Sequence, residues 1–224
     1  MITRLPRWVE YGALVLALTA GCINAVGLLG FTHQAVSHLS GTATLLGAGA
    51  IHGPLGDTLH LAGVLLSFLL GAALSGALLS GESLKLGRHY ETLLAIEGGL
   101  LLVAIPVLQA GSPFGQDIAS FACGLQNALV TTYSGAVVRT THLTGIFTDL
   151  GIMLGAVCKG RPIDRRKVTL LSIIVLGFIL GGTLGAWLFV RLRFASLAVP
   201  AFICFALAIG YRRYYFLHRR TSGR

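Results

Sequence analysis

Long apolar runs separated by short polar stretches form the main pattern of this chain. Six of the runs are close to the roughly 17 to 25 residues that a membrane-crossing helix needs. Polar or basic residues separate each run from the next. The pattern therefore predicts six membrane-spanning helices, over Tyr11–Phe31, Thr58–Ser80, Thr92–Leu108, Ile118–Val138, Val168–Val190 and Phe194–Gly210.

Two further apolar segments, Val36–Ile51 and Leu143–Val157, are shorter and more polar. If both cross the membrane, the chain has eight spans, with 12 Lys and Arg residues on the cytoplasmic side and 5 outside. If both re-enter from one side, the split becomes 15 to 2. Cytoplasmic loops carry an excess of Lys and Arg, so the pattern favours six full spans plus two re-entrant segments. A tilted short helix that spans is the alternative.

The composition agrees with an all-α membrane protein. Hydrophobic residues make up 54% of the chain and charged residues only 11%, against about 25% charged in ordinary soluble domains. We therefore expect a single membrane domain over 1–224. The net charge of +9 arises from short loops and a basic tail over 213–224. This distribution favours anchoring with both termini in the cytoplasm over binding of nucleic acid.

The start of the chain resembles a signal peptide, because basic residues precede an apolar run and Leu18–Cys22 is similar to a lipoprotein cleavage site. The run continues to Phe31, however, and signal peptides have shorter apolar regions of about 7 to 15 residues. We interpret it as a retained first span.

The cysteines form no CxxC pair and lie in or beside apolar stretches, as expected for small packing residues. They are Cys22, Cys123, Cys158 and Cys204. No metal-ligand spacing and no nucleophile, phosphate-binding or dinucleotide motif is present in the sequence. We expect no cofactor, no metal and no enzymatic activity.

An internal repeat relates the two halves of the chain. Residues 37–47 read SHLSGTATLLG and residues 141–151 read THLTGIFTDLG, with six of eleven positions identical. Upstream, Asn24 and Ala25 match Asn127 and Ala128. The repeats cover 11–110 and 115–212. Three crossings per repeat would make the two copies inverted in the membrane, as in many secondary transporters, whereas eight spans would make them parallel.

The re-entrant version predicts that the two polar segments face each other near the middle of the membrane. They would be broken or irregular helices whose unpaired backbone groups line a cavity and suit an anionic or carbonyl-bearing ligand. The predicted substrate-binding residues are Asn24, Ser40, Gly41, Thr44, Gln126, Asn127, Thr144, Gly145, Thr148 and Asp149.

Four titratable residues are candidates for carrying a proton or ion. Asp149 and Glu97 are acids within apolar segments, where an ionisable side chain is costly and indicates function. His38 and His142 are the repeated histidines, whose charge can change near neutral pH. The structural alternatives are a solvated Asp149 or one paired with Arg139 or Lys159, a Glu97 paired across a helix contact, and histidines at helix entries.

The repeated motifs resemble the YoaK-like family of bacterial membrane proteins, whose shared domain is termed domain of unknown function 1275. The resemblance rests on residues 21–25 (GCINA), 40–42 (SGT), 124–128 (GLQNA) and 140–145 (TTHLTG). It covers most of the chain and implies a multi-pass protein of the bacterial inner membrane. Relatives often carry Asp in place of Asn24 and Asn in place of Thr42.

Together these observations predict a small secondary transporter or permease with its site between the two repeats. The expected partners are the lipid bilayer and a small molecule or ion. The protein could be a monomer or a homodimer, and the sequence does not decide between them. A channel filtered by the re-entrant segments is the first alternative. A membrane scaffold or sensor and a lipid-modifying enzyme are the others, and the enzyme lacks a catalytic constellation.

Overall fold

A computed structural model describes residues 8–30, 35–79, 89–135 and 138–222 of the chain. Over these residues the protein is helical, with a short 3-10 helix at Arg193–Leu197 joining the last two α-helices. In chain order the α-helices are α1 Trp8–Gly30, α2 Leu39–His52, α3 Leu55–Leu78, α4 Tyr90–Gln109, α5 Phe114–Tyr133, α6 Leu143–Cys158, α7 Arg165–Leu192 and α8 Ala198–Ser222.

Backbone turns with positive φ follow four of the helices. Gly111, Gly135 and Gly160 have φ of 76°, 62° and 70° and follow α4, α5 and α6. Such left-handed residues commonly end helices, and glycine adopts this conformation at little cost. Arg193, at the end of α7, has φ of 52° and is the only non-glycine residue of the described chain in this region.

The helices are those of a multi-pass membrane protein. Four helical stretches of the described chain are long and apolar enough to cross a membrane: Val9–Gly30, Leu55–Leu78, Tyr90–Gln109 and Arg165–Tyr214, the last of which runs through α7 and α8. The predicted fourth span corresponds to α5, which is not in this set. Its sequence includes Gln116, Ser120 and Gln126, which are polar but fully buried, because α5 lies between other helices.

The two predicted polar segments form α2 and α6, and each is a continuous short helix. The expectation that they are broken helices is therefore wrong. Gly41 and Gly145 were predicted to be substrate-binding residues. Each instead lies in the first turn of its helix, where the ring of the histidine preceding the helix packs against it, since a Cβ at either glycine would overlap that ring.

Close glycine contacts join α1 to α7. The stripe Gly177, Gly181 and Gly185 of α7 lies against the backbone at Leu14, Leu18 and Cys22 of α1, respectively. Because the residue numbers rise together on both helices, α1 and α7 run parallel. Small residues at such crossings let helix backbones approach closely, so the stripe is a packing surface within the chain.

The same arrangement recurs between α3 and α5. A Cβ at Gly71 would overlap the carbonyl oxygen of Phe121, and one at Gly124 would overlap that of Phe68. Since α5 repeats α1 and α7 repeats α3, the pairs α1–α7 and α5–α3 are equivalent under the internal repeat. Each of the two crossings therefore pairs a helix of the first repeat with a helix of the second.

The first and fifth helices run in opposite directions. One buried cluster joins Val9 and Ala13, at the start of α1, to Val130 and Tyr133, at the end of α5. A second joins Ile23 and Val26 of α1 to residues of the first half of α5. α1 and its counterpart in the second repeat, α5, are therefore antiparallel.

Candidate functional site

The starts of α2 and α6 lie on one cavity of about 620 Å³. The cavity is also bordered by the second halves of α3 and α5, and its lining combines hydroxyl, imidazole, amide and guanidinium groups. The polar lining residues are Ser37, His38, Ser40, Asn127, Thr131, Thr132, Arg139, Thr141, His142 and Thr144. The repeated motifs of the two halves thus meet at a single polar space.

Both short helices begin without a side-chain cap on the described chain. His38 and His142 occupy the N-cap positions, and neither side chain bonds to the first turn that follows. The first N–H groups of an α-helix lack partners within the helix, and the helix dipole makes this end positive. Two such ends and Arg139 border the cavity, so its electrostatics favour an acceptor-rich or anionic ligand.

The repeated asparagines have different environments. The Oδ1 atom of Asn24 accepts hydrogen bonds from the backbone N–H and the hydroxyl of Ser37, at 3.1 and 2.9 Å, and thereby holds the chain that leads into α2. Asn127 lines the cavity. Its Oδ1 is buried and has no hydrogen-bond partner among the described residues. Asn24 therefore has a structural partner, whereas Asn127 is a lining residue whose buried acceptor has no described partner.

This difference predicts opposite effects for two matched substitutions. Asn24→Ala should lower the free energy of unfolding by about 2 kcal/mol, because two hydrogen bonds to Ser37 are lost. Asn127→Ala should change it by less than about 0.5 kcal/mol, because Oδ1 has no described partner to lose. Unfolding of the purified protein by denaturing detergent would measure both, and equal losses would contradict the assignment.

The remaining predicted site residues are divided among several places. Ser40 and Thr144 line the cavity. Thr44 and Thr148, one turn further along, donate their hydroxyls to the carbonyls of Ser40 and Thr144, at 2.9 Å each, on the exposed sides of α2 and α6. Threonine hydroxyls in helices often bond in this way.

Glu97 lies in a buried network that reaches the segment beside the cavity. The carboxylate oxygen Oε1 of Glu97 accepts a hydrogen bond from Nε2 of Gln126 at 2.8 Å, and Glu97 is fully buried. The amide oxygen of Gln126 accepts one from the hydroxyl of Thr140 at 3.3 Å. Thr140 lies between Arg139 and Thr141, which line the cavity. Gln126 is therefore not a lining residue, but it bonds Thr140, which adjoins the lining.

Asp149 lies away from the cavity lining and forms an ion pair. Its Oδ2 lies 3.0 Å from Nζ of Lys167, and the side chains are 46% and 34% exposed, respectively. The sequence had suggested Arg139 or Lys159 as the partner. The actual partner is at the start of α7, so the pair connects α6 to α7 at the surface of the bundle.

We expect Asp149→Asn to have little effect on stability. Exposed ion pairs typically contribute about 0.2 to 1 kcal/mol, and this pair is partly exposed. Lys167→Gln should have a similarly small effect, and the double variant should add little to either. A loss above about 2 kcal/mol in detergent unfolding would show that the pair has a larger structural role than its exposure indicates.

Two residues that the sequence did not single out help to shape the site. Ser120 of α5 is fully buried, and its hydroxyl lies 3.1 Å from the carbonyl oxygen of Val36 and 2.9 Å from that of Val64. It thus fixes the chain before α2 against α3 and α5. Ser37 bonds Asn24, and its alignment with Thr141 in the internal repeat was a sequence signal that could have identified it. No such signal marked Ser120, because the residue aligned with it is Ala17.

The described chain contains no group of three or more His, Cys, Asp and Glu side chains placed to hold a metal ion. The long apolar helices of the described chain indicate a helical, multi-pass membrane protein. The family model described as "Protein of unknown function (DUF1275)" matches residues 12–210, and the chain therefore belongs to this family. This confirms the resemblance seen in the repeated motifs. No curated protein and no solved structure matches the chain.

Proposed function

We propose that the protein is a small permease of the bacterial inner membrane, with a binding site for a small anionic or carbonyl-bearing solute in the cavity between α2 and α6. The observation that carries this proposal is the meeting of two uncapped helix starts, one from each repeat, at one polar cavity. Asn127 and Arg139 supply the other polar groups that contact the solute. No catalytic step is assigned to the site.

The lengths and positions of α2 and α6 support a re-entrant topology. Helices of 14 and 16 residues are about 21 and 24 Å long, shorter than the roughly 30 Å hydrocarbon core. Val36, just before α2, contacts Ser120, which also bonds Val64 in the middle part of α3. Because α2 then ends beside the start of α3, it traverses only part of the depth that α3 covers.

The helix directions support six full spans in two inverted repeats. The antiparallel arrangement of α1 and α5 is what an odd number of crossings per repeat requires. The basic residues are also distributed unevenly between the two ends of the helix bundle. Arg166 of α7 bonds Glu10 at the start of α1, at 3.2 Å, whereas Arg191 and Arg193 lie at the opposite end of α7. The positive-inside bias then places the start of α1 and the end of α8 in the cytoplasm.

Accessibility of introduced cysteines tests the topology. Cys158 is the exposed cysteine among those described, so Cys158→Ser provides the background. Ile51→Cys, at the end of α2, and Phe114→Cys, at the start of α5, are exposed positions outside the cavity lining. If α2 and α6 re-enter, both should react with an impermeant thiol reagent from the outside, whereas Val157→Cys, at the end of α6, should react from the inside. If Ile51→Cys and Phe114→Cys react from the inside, the six-span topology is wrong.

Ligand binding tests the site directly. We expect at least one of formate, acetate, nitrate or phosphate to raise the thermal stability of the purified protein above that in chloride of equal ionic strength. Arg139→Gln and Asn127→Ala should abolish the increase, whereas Thr44→Ala, whose hydroxyl bonds its own helix, should retain it. Binding that all three variants retain would exclude this cavity as the site.

Flux measurements separate the permease from the channel alternative. In liposomes containing the protein, a permease should take up the stabilising anion with saturable kinetics, and Asn127→Ala should lower that uptake. Currents that increase linearly with voltage and show single-channel steps would favour the channel. Absence of any flux together with retained binding would favour a sensor.

A further inference from the structure

A second cavity, which we name the tyrosine crevice, lies at the end of the bundle where α1 begins. Its volume is about 500 Å³, and it is surrounded by the starts of α1 and α4, the end of α5 and the middle of α8. Apart from the hydroxyl groups of Ser134 and the tyrosines, the side chains that line it are apolar. The tyrosines of the lining are Tyr11, Tyr90, Tyr133, Tyr211 and Tyr214.

Comparison of the two repeats shows that the fold does not by itself produce this space, because the equivalent position in the other half is nearly filled. With the offset of 103 residues that relates Asn24 to Asn127, the crevice residues Ala13, Leu16 and Leu129 correspond to Gln116, Ala119 and Val26. Those three line a cavity at the opposite end of the bundle that measures only about 10 Å³. The equivalent position is thus closed by packing at one end and open at the other.

The helix contacts explain the difference. At the closed end, the short turn between α4 and α5 holds these helices together, and Leu108 packs closely against Gly115. The corresponding pair at the open end is α8 and α1, which no such turn connects and which are in contact along much less of their length. Among the described residues, the space between α1 and α8 is therefore left open and has apolar walls.

The rim of the crevice has the chemistry of a membrane interface. Tyr90 lies against Tyr133 and Tyr211, with ring centroids 5.6 and 5.9 Å apart. Tyrosine is enriched at the level of lipid headgroups, where its ring is in apolar surroundings and its hydroxyl is in a polar one. Arg212 and Arg213 follow on α8 and are exposed. Basic side chains at this level attract anionic headgroups.

We propose that the tyrosine crevice is a binding site for an anionic phospholipid, with one acyl chain between α1 and α8 and the phosphate at Arg212 and Arg213. The apolar walls match a hydrocarbon chain. Arg212 and Arg213 are exposed on α8 between the lining residues Tyr211 and Tyr214, and they would select among headgroups. The site is separate from the polar cavity and does not depend on the proposed transport function. A second copy of the chain is the competing occupant.

Two glycines allow the crevice to be filled without disturbing the fold. Gly12 and Gly210 line it, and a Cβ at either position would meet nothing within 4 Å. Gly12→Leu and Gly210→Leu therefore place a side chain into the space that the acyl chain would occupy. Gly99→Leu is the matched control, because Gly99 is equally open but lies outside the lining.

Native mass spectrometry of the detergent-purified protein with added phosphatidylglycerol or phosphatidylcholine tests the proposal. Wild type and Gly99→Leu should retain one phosphatidylglycerol, and each filled variant should bind it roughly tenfold more weakly, as expected if about two methylenes are excluded. Arg212→Gln with Arg213→Gln should abolish the preference over phosphatidylcholine. Unchanged lipid binding in the correctly folded filled variants, or a dimer that these variants disrupt without any change in lipid binding, would overturn it.

Discussion

Gly181→Ala is expected to lower the free energy of unfolding by about 3 kcal/mol, at the upper end of what overpacking in a rigid interior costs. A Cβ at Gly181 would overlap the carbonyl oxygen of Leu18 and lie within 2.8 Å of its other backbone atoms. Backbone cannot move aside as a flexible side chain does, so α1 and α7 must separate. Unfolding of the purified protein by denaturing detergent would measure the loss.

The neighbouring glycine provides the control. A Cβ at Gly182 would meet only the carbonyl oxygen of Gly21, at 3.9 Å, so Gly182→Ala should be neutral or slightly stabilising because alanine favours helix. Gly71→Ala, at the equivalent crossing of α3 and α5, should resemble Gly181→Ala. If Gly181→Ala and Gly182→Ala are equally stable, the two helices do not cross at the distance described here.

The duplication explains why much of the bundle could be predicted from the sequence. Apolar runs identify helices through local periodicity and length, and these features do not depend on distant contacts. The aligned motifs predicted that the two polar segments face each other, and Ser40 and Thr144 line one cavity. The stripe through Gly177, Gly181 and Gly185 was an equally local signal for close packing.

The details of the site depend on contacts that local sequence does not contain. Asn24 and Asn127 have matching sequence contexts, and only the position of Ser37 gives one of them a described partner. Thr44 and Thr148 lie about 6 Å further along their helices than the lining residues Ser40 and Thr144, and their hydroxyls bond the carbonyls of those residues. The polar residues of α5 lower its mean hydropathy. Two of them, Ser120 and Gln126, form hydrogen bonds to neighbouring helices.

The acidic residues within apolar segments are the least predictable feature of the structure, because the surrounding apolar sequence does not identify their partners. Asp149 and Glu97 were equivalent candidates, both acids within apolar segments. Tertiary packing places Asp149 beside Lys167 at a partly exposed surface and Glu97 beside Gln126 in the interior. Of the two, only Glu97 is connected by hydrogen bonds to a residue that adjoins the cavity, namely Thr140.

Glu97→Ala is expected to cost about 3 kcal/mol of unfolding free energy, because it combines a cavity in a buried site with a lost acceptor. Nε2 of Gln126 donates to Glu97 at 2.8 Å and would be left without this bond in the interior. Glu97→Gln keeps both the volume and an oxygen that can accept from Gln126, so it should stay within about 1 kcal/mol of wild type.

The same pair of variants separates a structural role of Glu97 from a proton-carrying one. Glu97→Gln cannot release a proton, so if Glu97 couples proton movement to solute movement, this stable variant should bind the stabilising anion yet fail to accumulate it against a gradient. If Glu97 serves only as a hydrogen-bond acceptor, Glu97→Gln should transport as wild type does, and only Glu97→Ala should fail, through misfolding. Uptake into liposomes with and without a pH gradient measures the difference, and a Glu97→Ala variant as stable as wild type would remove Glu97 from the core network altogether.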